Sequence, residues 1–205
     1  MSSPSREPPP AIRGKWSDDP RQMVRRSAAN GHPIRGKWSA EMTPAPEIRL
    51  AQVEDADSLA ACHVACWREA YGGILPAERL AELTRDLEAR AQRWLGILRN
   101  EPRRTWVAIE RAVVLGFASV GPARDEEMAH LSELYALYIR ASEYGTGLAD
   151  RLVQPTIGVA PAYLWEAAHN PRAVAYYRRI GFHPDGVSKI DDWFGGIREV
   201  RMVRG

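Results

Sequence analysis

Between Glu133 and Val153 the chain reads ELYALYIRASEYGTGLADRLV, and few folds accommodate such a stretch. Up to Ile139 the residues suit a buried strand. Tyr144-Gly145-Thr146-Gly147 then breaks the run, and Leu148, Leu152 and Val153 resume at helical spacing. A strand is thereby joined to a helix start through glycines. Such a junction leaves backbone N–H groups unpaired at the positive end of the helix dipole, and residues without side chains let an anion reach them. Phosphate or pyrophosphate is the expected ligand.

The other elements follow from periodicity and punctuation. Ile48, Leu50 and Val53 suggest a first strand, and the acidic run from Glu54 to Ser58 suits a helix start. Leu59, Cys62, His63, Cys66, Trp67 and Ala70 then recur at three and four, a stripe that ends near Gly72-Gly73. After Pro76 one helix is predicted over 77–98, with Leu80, Leu83, Leu87, Ala91, Trp94 and Leu98 inward. Strands are predicted over 105–110 and 113–120. The opening strand, loop and helix come next, then a strand over 162–166 and a helix over 172–180 closed by Gly181. Two antiparallel strands, 186–192 and 197–204, turn at Gly195-Gly196. This order predicts an α/β (α+β) domain over 47–205 with a mixed, largely antiparallel sheet flanked by helices.

Residues 1–46 have a different texture. MSSPSREPPP and the prolines at 20, 33, 44 and 46 point to a disordered or extended tail. The tail contains one hexapeptide twice, IRGKWS at Ile12–Ser17 and again at Ile34–Ser39. Each copy offers a tryptophan, an isoleucine and two cations, which suits either bivalent docking to an unidentified partner or a duplicated remnant. Lysine occurs only at Lys15, Lys37 and Lys189, so two of the three lie in the repeats.

Composition removes several classes of function. A net charge of +2 with no basic run in the folded part gives no electrostatic footprint for nucleic acid. No apolar stretch approaches a membrane span, and the N-terminus lacks a signal peptide's apolar centre, so a cytoplasmic location is expected. The two cysteines, Cys62 and Cys66, have no second pair to complete a metal site and read as buried thiols. No metal is expected.

Two motifs in order carry a family resemblance. The loop Tyr144 to Ala149 and the run Asn170-Pro171-Arg172-Ala173-Val174-Ala175-Tyr176-Tyr177-Arg178-Arg179-Ile180-Gly181-Phe182 together resemble the GNAT superfamily of acyl-CoA-dependent N-acyltransferases. The likeness spans about residues 47–205. Two positions depart from the family pattern: Tyr144 replaces a polar residue at the head of the loop, and Ala141 stands where proline is common. The resemblance implies acetyl-CoA as co-substrate. Its pantetheine arm would run beside Leu137, Tyr138 and Ile139, its pyrophosphate would lie on Tyr144, Gly145, Thr146, Gly147, Leu148 and Ala149, and Asn170 would help to hold the arm. Arg172, Arg178 and Arg179 are candidates for its 3′-phosphate.

The resemblance also implies roles for a few titratable groups. Tyr177 matches the family tyrosine that protonates the departing thiolate, a task a phenol suits because it keeps its proton at neutral pH. Glu133, expected to share a face with Tyr135 and Leu137, is the first candidate for the base, acting directly or through water, and Glu166 is the rival. Trp67, Tyr71, Trp165 and Trp193 are candidate walls for the acceptor. The implied activity is transfer of an acetyl group to a primary amine, most simply a small molecule, by direct attack. A protein amine, including Lys15 or Lys37 of the chain itself, and a non-catalytic acyl-CoA sensor are the alternatives. A homodimer is one candidate assembly, and the oligomeric state is left open; nucleic acid and membrane are not expected partners.

Overall fold

A computed structural model describes residues 45–205; residues 1–44 of the tail, with both IRGKWS copies, lie outside the described residues. The first strand, β1 (Glu47–Leu50), is followed by three helices, α1 (Ala56–Tyr71), α2 (Ala77–Thr84) and α3 (Leu87–Asn100). Then come β2 (Arg104–Glu110), β3 (Val113–Pro122), β4 (Ser132–Ile139), α4 (Leu148–Thr156), β5 (Ala162–Ala167), α5 (Pro171–Arg179), β6 (His183–Asp191) and β7 (Ile197–Arg204). The strands form one seven-stranded sheet in the order β1-β2-β3-β4-β5-β7-β6. Neighbours are antiparallel except β4 and β5. The mixed, largely antiparallel sheet expected from the sequence is therefore present.

Strand alternation assigns the two layers. Val107 and Phe117 pack with Leu59, Cys62 and Trp94 of α1 and α3, while their chain neighbours Ala108 and Ala118 pack with Leu148 and Leu152 of α4. Below β5 and β7 the second layer continues through Leu164, Met202, Tyr177 and Phe182. The helix carrying the glycine loop and the helix carrying the second motif thus lie on the same side.

The single helix predicted over 77–98 is two helices. Its apolar stripe runs through the break, but Asp86 turns its side chain to the backbone N–H of Ala89 at 2.8 Å and starts a new helix there. Two arginines take up carbonyls at the end of α2: Arg90 donates to Leu83 O at 2.7 Å and Arg68 to Thr84 O at 3.2 Å. An aspartate followed by a glutamate in the next turn is a helix-start signal that the stripe had concealed.

The feature that positions the site is a failure of pairing. β4 and β5 pair only at Ser132↔Ala162 and Glu133↔Tyr163, and then diverge. The β3–β4 register shifts beside this point, from Ser119↔Ala136 to Val120↔Leu134, so Tyr135 is an extra, bulged residue. A bulge bends its strand and increases local twist. Here the Tyr135 ring lies over Gly121, where a Cβ would come within 2.6 Å of the ring, and its hydroxyl donates to the Pro122 carbonyl. The bend is locked by contacts that only glycine permits at position 121.

Candidate active site

The diverging strands open a cleft of about 580 Å³. Leu137, Tyr138 and Ile139 line it from β4, and Tyr144, Gly145, Gly147, Leu148 and Ala149 from the loop. Asn170 and Tyr177 line it from the far side. Of the residues predicted for the cofactor's pantetheine arm and pyrophosphate, Thr146 alone is not in the wall; its hydroxyl turns back to the Glu143 carbonyl at 2.8 Å. Trp67, Tyr71, Trp165 and Trp193 all face the same cleft.

The loop is built to expose amides. Gly145 and Gly147 have φ of 78° and 83°, values that strain any residue bearing a Cβ. Gly147 is the N-cap of α4, and no side chain caps that helix. Its first-turn N–H groups are left for a ligand, with the helix dipole favouring an anion. The two departures from the family pattern have local reasons. Ala141 donates its backbone N–H to Glu69 of α1 at 2.7 Å, a bond proline cannot make, and Arg140 pairs with the same carboxylate at 3.0 Å. Tyr144 lies under the Arg172 guanidinium, 3.8 Å from the ring centroid, and its hydroxyl accepts from Arg172 at 2.8 Å. The loop is thus tied to α1 at one end and to α5 at the other. Arg172 and Arg179 also border the cleft, Arg179 paired with Asp150 at 2.7 Å, whereas Arg178 does not.

The carboxylates separate into two environments. Glu166 lines the cleft, is 9% exposed, and accepts one hydrogen bond from Asn170 Nδ2 at 3.0 Å. Burial pushes its carboxyl up to about 8, partly opposed by the bond from Asn170. Asn170 also caps α5, accepting from the Ala173 N–H at 3.3 Å, so one side chain fixes both the helix start and the glutamate. Tyr177 is buried on the next turn of α5; burial first, and the nearby Glu166 second, raise its phenol well above the usual range. His63 is enclosed by Trp67, Trp94, Phe117 and Tyr138, and burial drives its imidazole down to about 3, a neutral core histidine.

Glu133 is placed differently from the expectation that it shares a face with Tyr135 and Leu137. The bulge at Tyr135 puts Leu134 and Leu137 in one apolar cluster although they are three residues apart, so Glu133 falls on the face opposite Leu137. It is 1% exposed and outside the cleft wall. Its carboxylate accepts from Tyr163 Oη at 2.8 Å, from the Arg124 N–H at 3.0 Å and from the Arg124 guanidinium. These bonds join β4, β5 and the loop after β3 at the point where the strands part. Glu133→Ala is expected to cost about 2–4 kcal/mol, because the Tyr163 phenol and the Arg124 guanidinium lose their acceptor and a cavity opens. Thermal unfolding should show a Tm lower by roughly 5–15 °C; an unchanged Tm contradicts this role.

Comparison with known proteins bears on the same features. Residues 61–182 match the acetyltransferase (GNAT) family. The chain belongs to the GNAT acetyltransferase family. The uncharacterized N-acetyltransferase YuaI of Bacillus subtilis is 28% identical over 159 residues, 74% of this chain and 87% of that protein. A probable N-acetyltransferase of Mycobacterium tuberculosis, Rv2775, is 27% identical over 68% of this chain and 80% of its own. Among solved structures, the ribosomal-protein-alanine N-acetyltransferase of Brucella melitensis superposes with a TM-score of 0.58 at 26% identity, covering 77% of this chain and 98% of that one. The PaiA N-acetyltransferase of Thermoplasma acidophilum, solved with coenzyme A, has a TM-score of 0.55 at 20% identity over 76% and 96%.

This GNAT N-acetyltransferase has cleft residues that sequence reasoning did not single out as site residues. Phe194 and Asp191 lie at the β6–β7 turn, Lys189 and Glu199 face each other across those strands, and Cys66 and Arg124 also line the wall. Period-two alternation places Lys189 with Asp191 on one face. It does not say which face meets the cleft.

Proposed function

We propose that this GNAT enzyme transfers an acetyl group from acetyl-CoA to the primary amine of a small molecule by direct attack, with Glu166 as the base and Tyr177 as the acid. The observation that carries the reading is the meeting of three features in one cleft: an uncapped helix start, an unpaired length of β4, and a carboxyl–phenol pair between β5 and α5. The residues present fit the cofactor. The amides of Gly145 and of Gly147 to Ala149 would take its pyrophosphate, the free edge of Leu137 to Ile139 would hold its amide-bearing arm, and Arg172 is poised over the loop for a further phosphate. Bound acetyl-CoA supplies an already activated thioester.

The chain's own task is to move two protons. An alkylamine is mostly protonated at neutral pH, with a reference value near 10.4, so a proton must be removed before its nitrogen can attack. The Glu166 carboxylate, buried from water and aligned by Asn170, accepts it. The Tyr177 Oη holds the proton that the leaving sulfur requires. The aromatic walls exclude water and fix the acceptor between these groups.

The amino terminus of a protein is the second reading, supported by the likeness to the ribosomal-protein-alanine N-acetyltransferase. The test is a panel of small amines and peptides with acetyl-CoA, read as free-thiol release beside a thermal-shift titration. Acetyl-CoA should raise Tm, and small amines should release thiol faster than peptides. No release with any amine overturns the proposal; release with peptides alone selects the second reading.

A further inference from the structure

At the acceptor end of the cleft the protein already holds an alkylammonium of its own. Lys189 Nζ lies 4.0 Å from the centroid of the Trp165 ring and 3.5 Å from the Glu199 carboxylate. The sheet register produces this arrangement: Lys189 faces Glu199 across β6–β7, Glu199 faces Ala167 across β7–β5, and Trp165 is two residues back on the same face of β5. The ring is anchored, since Trp165 Nε1 donates to Asp125 at 2.8 Å. The nearby Arg201, 5.8 Å from the ring, is engaged with Glu127 and with Asp185 at 2.6 Å.

The two partners of this ion pair differ in freedom. The Glu199 side chain is 16% exposed, whereas that of Lys189 is 44% exposed on a four-carbon stem. The carboxylate and the ring form a fixed seat, and the ammonium is the part able to leave. Burial raises the Glu199 carboxyl, and Asp191 acts in the same direction while Lys189 and, more distantly, Arg124 oppose it, so an emptied seat would favour another cation. In a chain with 28 lysines and arginines, Lys189 is the only lysine among the described residues. A compact ammonium, not a forked guanidinium, occupies the seat.

We propose that Trp165 and Glu199 form a binding site for a second ammonium of the acceptor, that Lys189 is its resident placeholder, and that the acceptor class is therefore the alkyl diamines. One amine meets Glu166 in the gap between β4 and β5, and the other displaces Lys189 Nζ from the opposite face of β5. This specificity rests on the acetyl-transfer reading above. A cation between an aromatic face and a partly buried carboxylate gains enough to be read in kinetics.

The experiment compares cadaverine with pentylamine, which has the same carbon chain and one amine fewer, as acceptors for the full chain. Wild type should favour cadaverine in kcat/KM by about tenfold. Glu199→Gln should bring the ratio to near one, and Trp165→Leu gives the same reading should the first variant fold poorly. Lys189→Met, on an exposed stem, should lower the KM for cadaverine by about three- to tenfold, since the competing ammonium is gone. A wild-type ratio near one, or a ratio unchanged in Glu199→Gln and Trp165→Leu, overturns the diamine site while leaving acetyl transfer intact. Acetyl-Lys189 found by mass spectrometry after turnover also overturns it, making that lysine an acceptor and not a placeholder. Thiol release with neither amine overturns the diamine site, while acetyl transfer itself is decided by the wider panel of amines and peptides.

Discussion

Glu166→Gln is expected to lower kcat by about 10²–10⁴-fold, the usual range for losing a positioned general base. The amide keeps the shape of the side chain and a hydrogen bond to Asn170, so loss of basicity is isolated from loss of packing. The pH profile gives a second reading. The Glu166 carboxyl is raised to about 8 by burial, so its protonated form, useless as a base, predominates below that pH. Activity in wild type should therefore rise with an inflection near pH 8 and be lost as pH falls through it. The acceptor amine adds its own rise toward about 10.4. Glu166→Gln should lose the lower inflection and keep the upper one. A variant profile with the inflection near 8 intact would transfer the role of base elsewhere.

What could be read from the sequence was local. The glycine loop was legible because its determinants are neighbours: two positions needing positive φ, followed by a helical stripe without a capping side chain. The second motif was legible for the same reason, since Asn170 and Pro171 start the helix that carries Tyr177. The break between α2 and α3 was hidden because Leu83 and Leu87 keep the stripe in phase while the Asp86 cap interrupts the backbone. The carboxylates were harder still. Counting by twos from Glu133 fails at Tyr135, where one bulged residue inverts the faces, and the bulge depends on a ring packing over Gly121 in another strand. Nothing near Glu133 in the chain announces that contact. Glu166 was visible as a charged residue in an apolar strand; its place in the cleft depends on where β4 and β5 cease to pair. Long-range register, not residue type, decides which glutamate meets the ligand.

Tyr177→Phe should lower kcat by about 10²–10⁴-fold while leaving Tm nearly unchanged, because the ring that packs on Phe182 and Tyr176 is retained and only the hydroxyl is lost. Tyr176 provides the control. Its hydroxyl is buried with no hydrogen-bond partner among the described residues, so Tyr176→Phe removes an unsatisfied group and should not slow turnover. The acid role makes two further demands. Burial holds the Tyr177 phenol well above its ordinary range, so the profile that rises near pH 8 should show no falling limb at pH 9–10, where an ordinary tyrosine would begin to surrender its proton. An acyl donor with a more acidic thiol needs less protonation of its sulfur as it departs. Such a donor should narrow the gap between Tyr177→Phe and wild type, whereas a tyrosine that merely shapes the cleft would leave the gap independent of the thiol. Rescue by the leaving group, measured as the ratio of kcat values across a series of acyl thioesters, therefore separates proton donation from packing. An unvarying ratio would return Tyr177 to the core.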